Sequence, residues 1–96
     1  MSTDPHSDYE RNRRRRTVPP RGRVQVILHR TADKGLVYVV QMLRELTHFG
    51  DAEAETRMWE AYHRGRAVVL VTHFERAELY VEQFAARGLT ASIEPA

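Results

Sequence analysis

Residues 24–47 read VQVILHRTADKGLVYVVQMLRELT, and the spacing of their apolar side chains changes partway along the stretch. Val24, Val26 and Leu28 recur at a period of two, which predicts a strand with at least one buried face. After a short polar loop, helical spacing takes over at Leu36, Val39, Val40, Leu43 and Leu46. The stretch therefore predicts a strand, a loop and an amphipathic helix that ends at Gly50.

The next segment predicts a second helix and a second strand. Asp51 is a candidate N-cap and Gly65 a candidate stop. The inner face of this helix is expected to carry Ala54, Met58, Ala61 and Tyr62. Residues 67–71 form a continuous apolar and mostly β-branched run, which predicts a strand buried on both faces at the centre of the sheet.

A third helix is predicted to begin at residues 72–75, because Thr72 and Glu75 match the two ends of a capping box. Its inner stripe comprises Phe74, Ala77, Val81 and Phe84. Gly88 ends it, and Leu89, Ala91 and Ile93 alternate as a last strand. The order β-α-α-β-α-β predicts an α+β fold, a two-layer sandwich of three helices on a three-stranded antiparallel sheet.

The 96 residues allow one domain, and we assign it to residues 24–96. Residues 1–23 have no apolar periodicity and are rich in proline and charge, which predicts a flexible arm. The arm holds seven arginines against three acidic residues, whereas residues 24–96 hold eight basic against ten acidic residues. An arginine-rich run at residues 11–16 leaves open the alternative of a nucleic-acid-binding module that uses the arm.

Several function classes have no support in the sequence. The chain has no cysteine, which is compatible with a reducing compartment, and we expect a cytoplasmic protein. It has neither a signal-peptide pattern nor an apolar run approaching the ~20 residues of a membrane span, so no membrane partner is expected. The five histidines show no metal-ligand spacing, and no nucleophile or phosphate-binding motif is present. We therefore expect no metal, no cofactor and no enzymatic activity.

Trp59, Tyr62 and Tyr80 offer a second route to nucleic acid, as a stacking platform for bases. Aromatic residues at helical spacing lie more often in the core or at its edge, and we expect Trp59 in the core.

Residues 26–29 (VILH) and 36–43 (LVYVVQML) resemble the opening of the ClpS family of Clp protease adaptors. Members of that family read V-I-L-H-N-D-D, followed by a helix with V-V near its start. Matching positions continue without a gap to about Phe84 and resume in the last strand, at Ala54, Met58 and residues 65–68, 75–78 and 89–94. The resemblance covers residues 24–94 and implies a fold related to the C-terminal domain of the ribosomal stalk protein.

The resemblance also implies partners. Family members bind the N-domain of a ClpA- or ClpC-type AAA+ unfoldase and hand over proteins that begin with a bulky residue. The expected partners of this chain are therefore such an N-domain and protein substrates or their N-terminal peptides, bound by a monomer. The contact patch for the unfoldase maps to the third helix, at Glu75, Ala77, Glu78 and Tyr80, the last standing where the family usually has a lysine.

The polar rim of the family's substrate pocket has diverged here. In the family, a loop Asn, one or two acidic residues and a His hold the substrate's α-amino group. The matching region of this chain holds Arg30, Thr31, Ala32, Asp33, Tyr62 and His63. Since an arginine repels an ammonium group, altered or lost N-degron specificity is expected, unless Asp33 or His63 restores amine binding after a local shift. Arg30 would instead favour an acidic or acyl-blocked terminus.

The positions that match the apolar lining of the family's pocket are all apolar in this chain as well. The matching positions are Leu28, Leu36, Val39, Ala61 and Leu89. Two interpretations stay open at this point, a persisting hollow and a filled core.

Overall fold

The computed structural model of the protein describes residues 22–96. Three strands and three helices follow one another in the predicted order. They are β1 (Val24–His29), α1 (Leu36–Thr47), α2 (Asp51–Arg64), β2 (Arg66–Thr72), α3 (Phe74–Ala86) and β3 (Ala91–Pro95). Nearly all of the predicted arm, residues 1–23, lies outside the described residues, so its flexibility stays a prediction.

β1 is the central strand of the antiparallel sheet and pairs with both β2 and β3. The prediction that residues 67–71 form the central strand is therefore wrong. β2 is an edge strand on which Ala67 and Val69 are buried, whereas Val68 and Val71 are exposed. β-branched side chains suit a half-buried pleated surface as well as a fully buried one, so their run did not require burial on both faces.

β1 is buried on both of its faces. Val24, Val26 and Leu28 point toward the helices and belong to the main core. Ile27 points to the opposite face and is nevertheless 0% exposed. The strand with the clearest period of two in the sequence is thus also the strand that the fold encloses most completely.

An ion pair crosses the sheet on the side of Ile27. The Nη2 atom of Arg66 on β2 lies 2.5 Å from Oε1 of Glu94 on β3. Arg66 pairs with His29 along one edge of β1 and Glu94 with Gln25 along the other, so the ion pair runs diagonally over Ile27. Since neighbouring strands lie about 4.8 Å apart, the pair spans the full width of β1.

The core lies between the sheet and the three helices. Its buried members come from five of the six elements and from Leu89, and β3 adds only the partly buried Ala91 and Ile93. A chain of this size needs so many contributors in order to bury enough apolar surface. The fully buried side chains of the helices include Leu43 on α1, Ala54 on α2, and Ala77 and Phe84 on α3. Within the predicted stripe of α3, Phe74 and Val81 are only partly buried.

Two predicted N-caps are wrong by one residue. Gly50 is the N-cap of α2 and Asp51 is its first helical residue. His73 is the N-cap of α3 and makes no side-chain capping bond. Thr72, the predicted cap, is instead held in the strand ladder opposite Val24. The predicted capping box therefore does not form.

The ends of the elements follow local backbone conformation. Gly65 adopts the left-handed conformation that stops α2, as predicted, and its N–H donates to the carbonyl of Ala61. α1 ends earlier than predicted, at Thr47, because His48 adopts that conformation with φ of 63°. The last strand begins at Ala91 and not at Leu89, whose N–H donates to the carbonyl of Phe84.

Replacing Leu43 with alanine is expected to lower the free energy of unfolding by about 2–5 kcal/mol, because a fully buried side chain leaves a cavity. Urea denaturation followed by circular dichroism measures this. Val37→Ala on the same helix is the matched control, since Val37 is 82% exposed and its truncation should change stability by less than about 0.5 kcal/mol. Equal losses for the two variants would contradict this account of the core.

The Arg66–Glu94 pair predicts a pH-dependent contribution to stability. The hydrogen bond from Arg66 lowers the pKa of the Glu94 carboxyl below its usual value of 4.5. A carboxyl with a lowered folded-state pKa stabilises the fold above its unfolded pKa, and that contribution disappears as the pH falls through the folded pKa. The stability difference between the natural chain and Glu94→Gln should therefore be present at about pH 7 and shrink below about pH 4.5. A difference that stays constant in urea titrations across this range would contradict the assignment.

Candidate functional site

A small apolar pocket lies at the end of β1. The start of the loop between β1 and α1, the first half of α1 and the second half of α2 surround it. Its floor is made by residues that are almost wholly buried, with Leu28, Ala61 and Leu89 each at most 4% exposed. The five apolar positions singled out in the sequence all line it, together with His29, Arg30, Thr31, Met58 and Tyr62. The structure thus brings the apolar set together, while its role in binding stays a prediction.

The pocket is narrow. Its cavity has a volume of about 20 Å³. That is roughly the space that a single water molecule needs, and far less than a bulky aliphatic or aromatic side chain occupies. Of the two interpretations left open by the sequence, the conformation described here is closer to a filled core, with only a small hollow beneath the mouth.

Arg30 and Tyr62 contact each other at the mouth of the pocket. The Nε–H of Arg30 donates to the carbonyl oxygen of Tyr62 over 3.1 Å. The guanidinium carbon of Arg30 also lies 5.3 Å from the centroid of the Tyr62 ring, within reach of a cation–π interaction. The backbone N–H of Arg30 donates to the carbonyl of Gly65, which ties the loop to the end of α2.

The position of Arg30 has a local physical reason. Tyr62 is one of the last four residues of α2, whose carbonyls have no partner within the helix. A cation at this end of a helix also interacts favourably with the negative end of the helix dipole. Arg30 therefore caps α2 from across the pocket, in addition to stacking on the Tyr62 ring.

The polar rim predicted from the sequence is only partly assembled. Arg30, Thr31 and Tyr62 line the pocket, whereas Ala32 and Asp33 are exposed and do not. His63 is turned away and stacks on Trp59, with ring centroids 5.1 Å apart and an angle of 14° between the planes. No carboxylate of residues 22–96 lines the pocket.

Met58 and His29 belong to the pocket but were not assigned to it from the sequence. A signal for Met58 existed, because it lies three and four residues before Ala61 and Tyr62 on the same helical face. His29 gave no such signal, since its imidazole belongs to the opposite face of the sheet, where Nε2 lies 2.7 Å from Oγ of Ser92.

An open groove adjoins the pocket between α1 and α2. It has a volume of about 420 Å³ and is lined by Leu36, Val37, Val40, Glu55, Met58 and Trp59. Trp59 is 45% exposed, so the prediction that it lies in the core is wrong. The inner stripe of α2 runs through Ala54, Met58 and Ala61, and Trp59 is turned about 100° from Met58 onto the flank of that stripe.

The predicted unfoldase patch on α3 is divided between surface and core. Glu75 and Glu78 are exposed and point away from the sheet. Ala77 is 0% exposed, so its side chain packs beneath the patch and cannot contact a partner. Tyr80 is partly buried, with the guanidinium carbon of Arg76 lying 5.9 Å from its ring centroid. The exposed part of the patch is therefore acidic.

Among residues 22–96, no group of three or more histidine, aspartate or glutamate side chains is placed to hold a metal ion. None of the helices in this part of the chain is long and apolar enough to cross a bilayer.

Comparison with known proteins gives a consistent result. The family model "ATP-dependent Clp protease adaptor protein ClpS" matches residues 21–92. The ClpS adaptor of Synechococcus sp. (strain CC9902) is 36% identical over 74 residues, which cover 76% of this chain and 71% of that protein. The Synechococcus elongatus adaptor is 35% identical over 82 residues, covering 84% of both chains.

A solved structure confirms the fold. The structure of Agrobacterium tumefaciens ClpS2 bound to L-phenylalaninamide superposes with a TM-score of 0.72 at 21% sequence identity, covering 77% of this chain and 96% of that one. Both have three helices and a three-stranded antiparallel sheet. On the family match and these relatives, the chain belongs to the ClpS family of ATP-dependent Clp protease adaptors.

Proposed function

We propose that this ClpS-family adaptor docks on the N-domain of a ClpA- or ClpC-type unfoldase and modulates substrate delivery with altered N-degron specificity. It acts by binding and not as an enzyme. The observation that carries the proposal is the Arg30–Tyr62 contact, which holds a cation at the pocket mouth.

Charge disfavours a substrate N-terminus at this mouth. An α-ammonium group needs acceptors for its N–H bonds, and charged acceptors make the strongest ones. The rim here offers a guanidinium in place of a carboxylate. Two like unit charges 4 Å apart repel by about 4 kcal/mol at an effective dielectric constant of 20, which is enough to cancel a moderate binding energy.

Size also disfavours a bulky N-terminal residue. L-phenylalaninamide, the ligand of the A. tumefaciens protein, combines an ammonium group with a benzyl group. The cavity of about 20 Å³ in this chain does not admit a benzyl group unless Tyr62 and Arg30 move. Such a movement breaks the Arg30–Tyr62 hydrogen bond and separates the cation from the ring.

The acidic surface of α3 supports docking on a partner of opposite charge. Glu75 and Glu78 are exposed, and neither pairs with a cation of residues 22–96. Charge complementarity of this kind speeds association and excludes wrong partners. The nucleic-acid alternative rests on the arginine-rich run at residues 11–16, outside the described residues, and on the exposed rings of Trp59 and Tyr62. These two rings have only Arg30 and His63 beside them as basic side chains, and residues 24–96 carry more acidic than basic residues, so we favour the adaptor.

Reversing the charge of both α3 glutamates, in Glu75→Lys/Glu78→Lys, is expected to weaken binding to the purified unfoldase N-domain at least tenfold, a loss of about 1.4 kcal/mol. Isothermal titration calorimetry with the full chain measures the affinity. Glu45→Lys makes a single reversal at an exposed position of α1 and should leave docking within about twofold. If the N-domain does not bind the natural chain, the docking proposal is wrong. If both variants lose the same affinity, the patch on α3 is not the binding surface.

Restoring family-type residues at the rim is expected to restore uptake of bulky N-termini. The variant Arg30→Asn/Thr31→Asp/Ala32→Asp/Tyr62→His should bind a peptide that begins with Phe, because it supplies acceptors and opens the mouth. The natural chain should not bind that peptide at the same concentration in a fluorescence anisotropy titration. The same peptide with an acetylated N-terminus is the control and should bind neither protein.

Tight binding of the Phe peptide by the natural chain would contradict altered specificity. It would mean that Arg30 and Tyr62 move aside and that Asp33 or His63 supplies the missing acceptor.

A further inference from the structure

The pocket mouth combines a single arginine with an apolar floor. Arg30 stands at the mouth, and Leu28, Ala61 and Leu89 lie beneath it. We propose that this pocket binds the C-terminal end of a peptide, with Arg30 holding the α-carboxylate and the floor accepting a small last side chain. The inference rests on the proposed function, because it names the class of peptide that the diverged adaptor selects.

Arg30 has donors to offer a ligand. Its Nε–H donates to Tyr62, and its Nη groups donate to no acceptor among residues 22–96. A guanidinium binds the two oxygens of a carboxylate through two parallel hydrogen bonds. Because the Tyr62 carbonyl and ring already hold Arg30 in place, little side-chain freedom remains to be lost when a ligand binds.

The arrangement favours a terminal carboxylate over an acidic side chain. A C-terminal residue carries its carboxylate and its side chain on one Cα atom, so it meets the cation at the mouth and the apolar floor together. An Asp or Glu side chain that reached the floor would place its charge against the apolar side chains of Leu28, Ala61 and Leu89. Burying a carboxylate without hydrogen-bond donors is costly.

The volume of the cavity specifies a small last residue. About 20 Å³ is little more than the space that one water molecule needs, so a last side chain as small as that of alanine suits the cavity better than leucine or phenylalanine. Thr31 also lines the pocket, and its hydroxyl, which donates to the His29 carbonyl, retains the capacity to accept a backbone N–H from the ligand.

The test uses the full chain without unfoldase and the peptide Gly-Ser-Gly-Ser-Ala, acetylated at its N-terminus. Binding is followed by two-dimensional amide NMR, with the same peptide amidated at its C-terminus as the matched ligand control. We expect the carboxylate form to bind at least tenfold more tightly and to shift the amides of the loop and of the end of α2. A peptide that ends in Phe should bind more weakly than the Ala peptide.

Two variants assign the effect to the guanidinium. Arg30→Gln should reduce affinity for the carboxylate form at least tenfold and abolish its preference over the amide. Arg30→Lys retains the charge without the paired donors and should retain part of the preference. Arg64→Gln removes the same charge from an exposed position two residues after Tyr62 and should leave affinity within about twofold.

Several results would overturn the inference. They are equal affinity for acid and amide, unchanged binding by Arg30→Gln, no binding at millimolar peptide, or a preference for an amidated peptide with an N-terminal Asp. N-domain docking measured on the same preparation separates the two proposals. Docking without carboxylate binding overturns this inference alone, whereas carboxylate binding without docking overturns only the unfoldase partnership.

Discussion

The pairing of β1 with both of its neighbours is the constraint on which the rest of the structure depends. It buries one face of the strand under the helices and the other under the Arg66–Glu94 pair. It also determines where the chain leaves the sheet, because the hydrogen bond from Arg30 N–H to the Gly65 carbonyl directly follows the last ladder pair of β1 with β2. The loop that forms the pocket mouth therefore starts from a position set by the sheet.

That origin explains why the side chains of this loop can vary while the fold is kept. The first loop residue is held by its backbone amide, which every residue except proline supplies. The side chain at this position is consequently under little structural constraint, and an arginine there finds a partner in the unpaired carbonyl at the end of α2. An arginine at position 30 thus costs the core nothing, since none of the fully buried side chains takes part.

Much of the fold was predictable because it depends on period and composition. The order of elements, the stop at Gly65 and the apolar inner positions of α1 and α2 follow from helical spacing and from glycine's access to positive φ. The strand order was not predictable in the same way. A continuous apolar run in residues 67–71 predicted the centre of the sheet, whereas pairing left it at the edge with Val68 and Val71 exposed. The N-cap of α3 was misplaced for a related reason, because strand pairing at Thr72 competes with capping.

The pocket shows the same difference between what sequence spacing predicts and what three-dimensional packing decides. The resemblance to ClpS adaptors located the pocket's apolar residues and its rim residues Arg30, Thr31 and Tyr62, since these positions can be matched along the sequence. The state of the pocket, in contrast, depends on which partners Arg30 and Tyr62 take in three dimensions, and neither the carbonyl contact nor the ring stacking leaves a trace in residue spacing. The same holds for Trp59, whose helical phase permits either burial or exposure until the packing of α1 against α2 decides.

The two rim residues act as a unit, and this bears on how the site changed. An arginine placed beside a histidine would face a side chain that is itself protonated near neutral pH, whereas the Tyr62 ring presents a negative face to the guanidinium. Tyr62 therefore makes an arginine at position 30 acceptable, and Arg30 in turn covers the ring over the pocket. Substitution of Arg30 removes both contacts, whereas substitution of Tyr62 removes the ring and leaves the hydrogen bond to its backbone carbonyl in place. Under the proposal of a carboxylate site, the pair represents a change of ligand class and not the loss of an amine site.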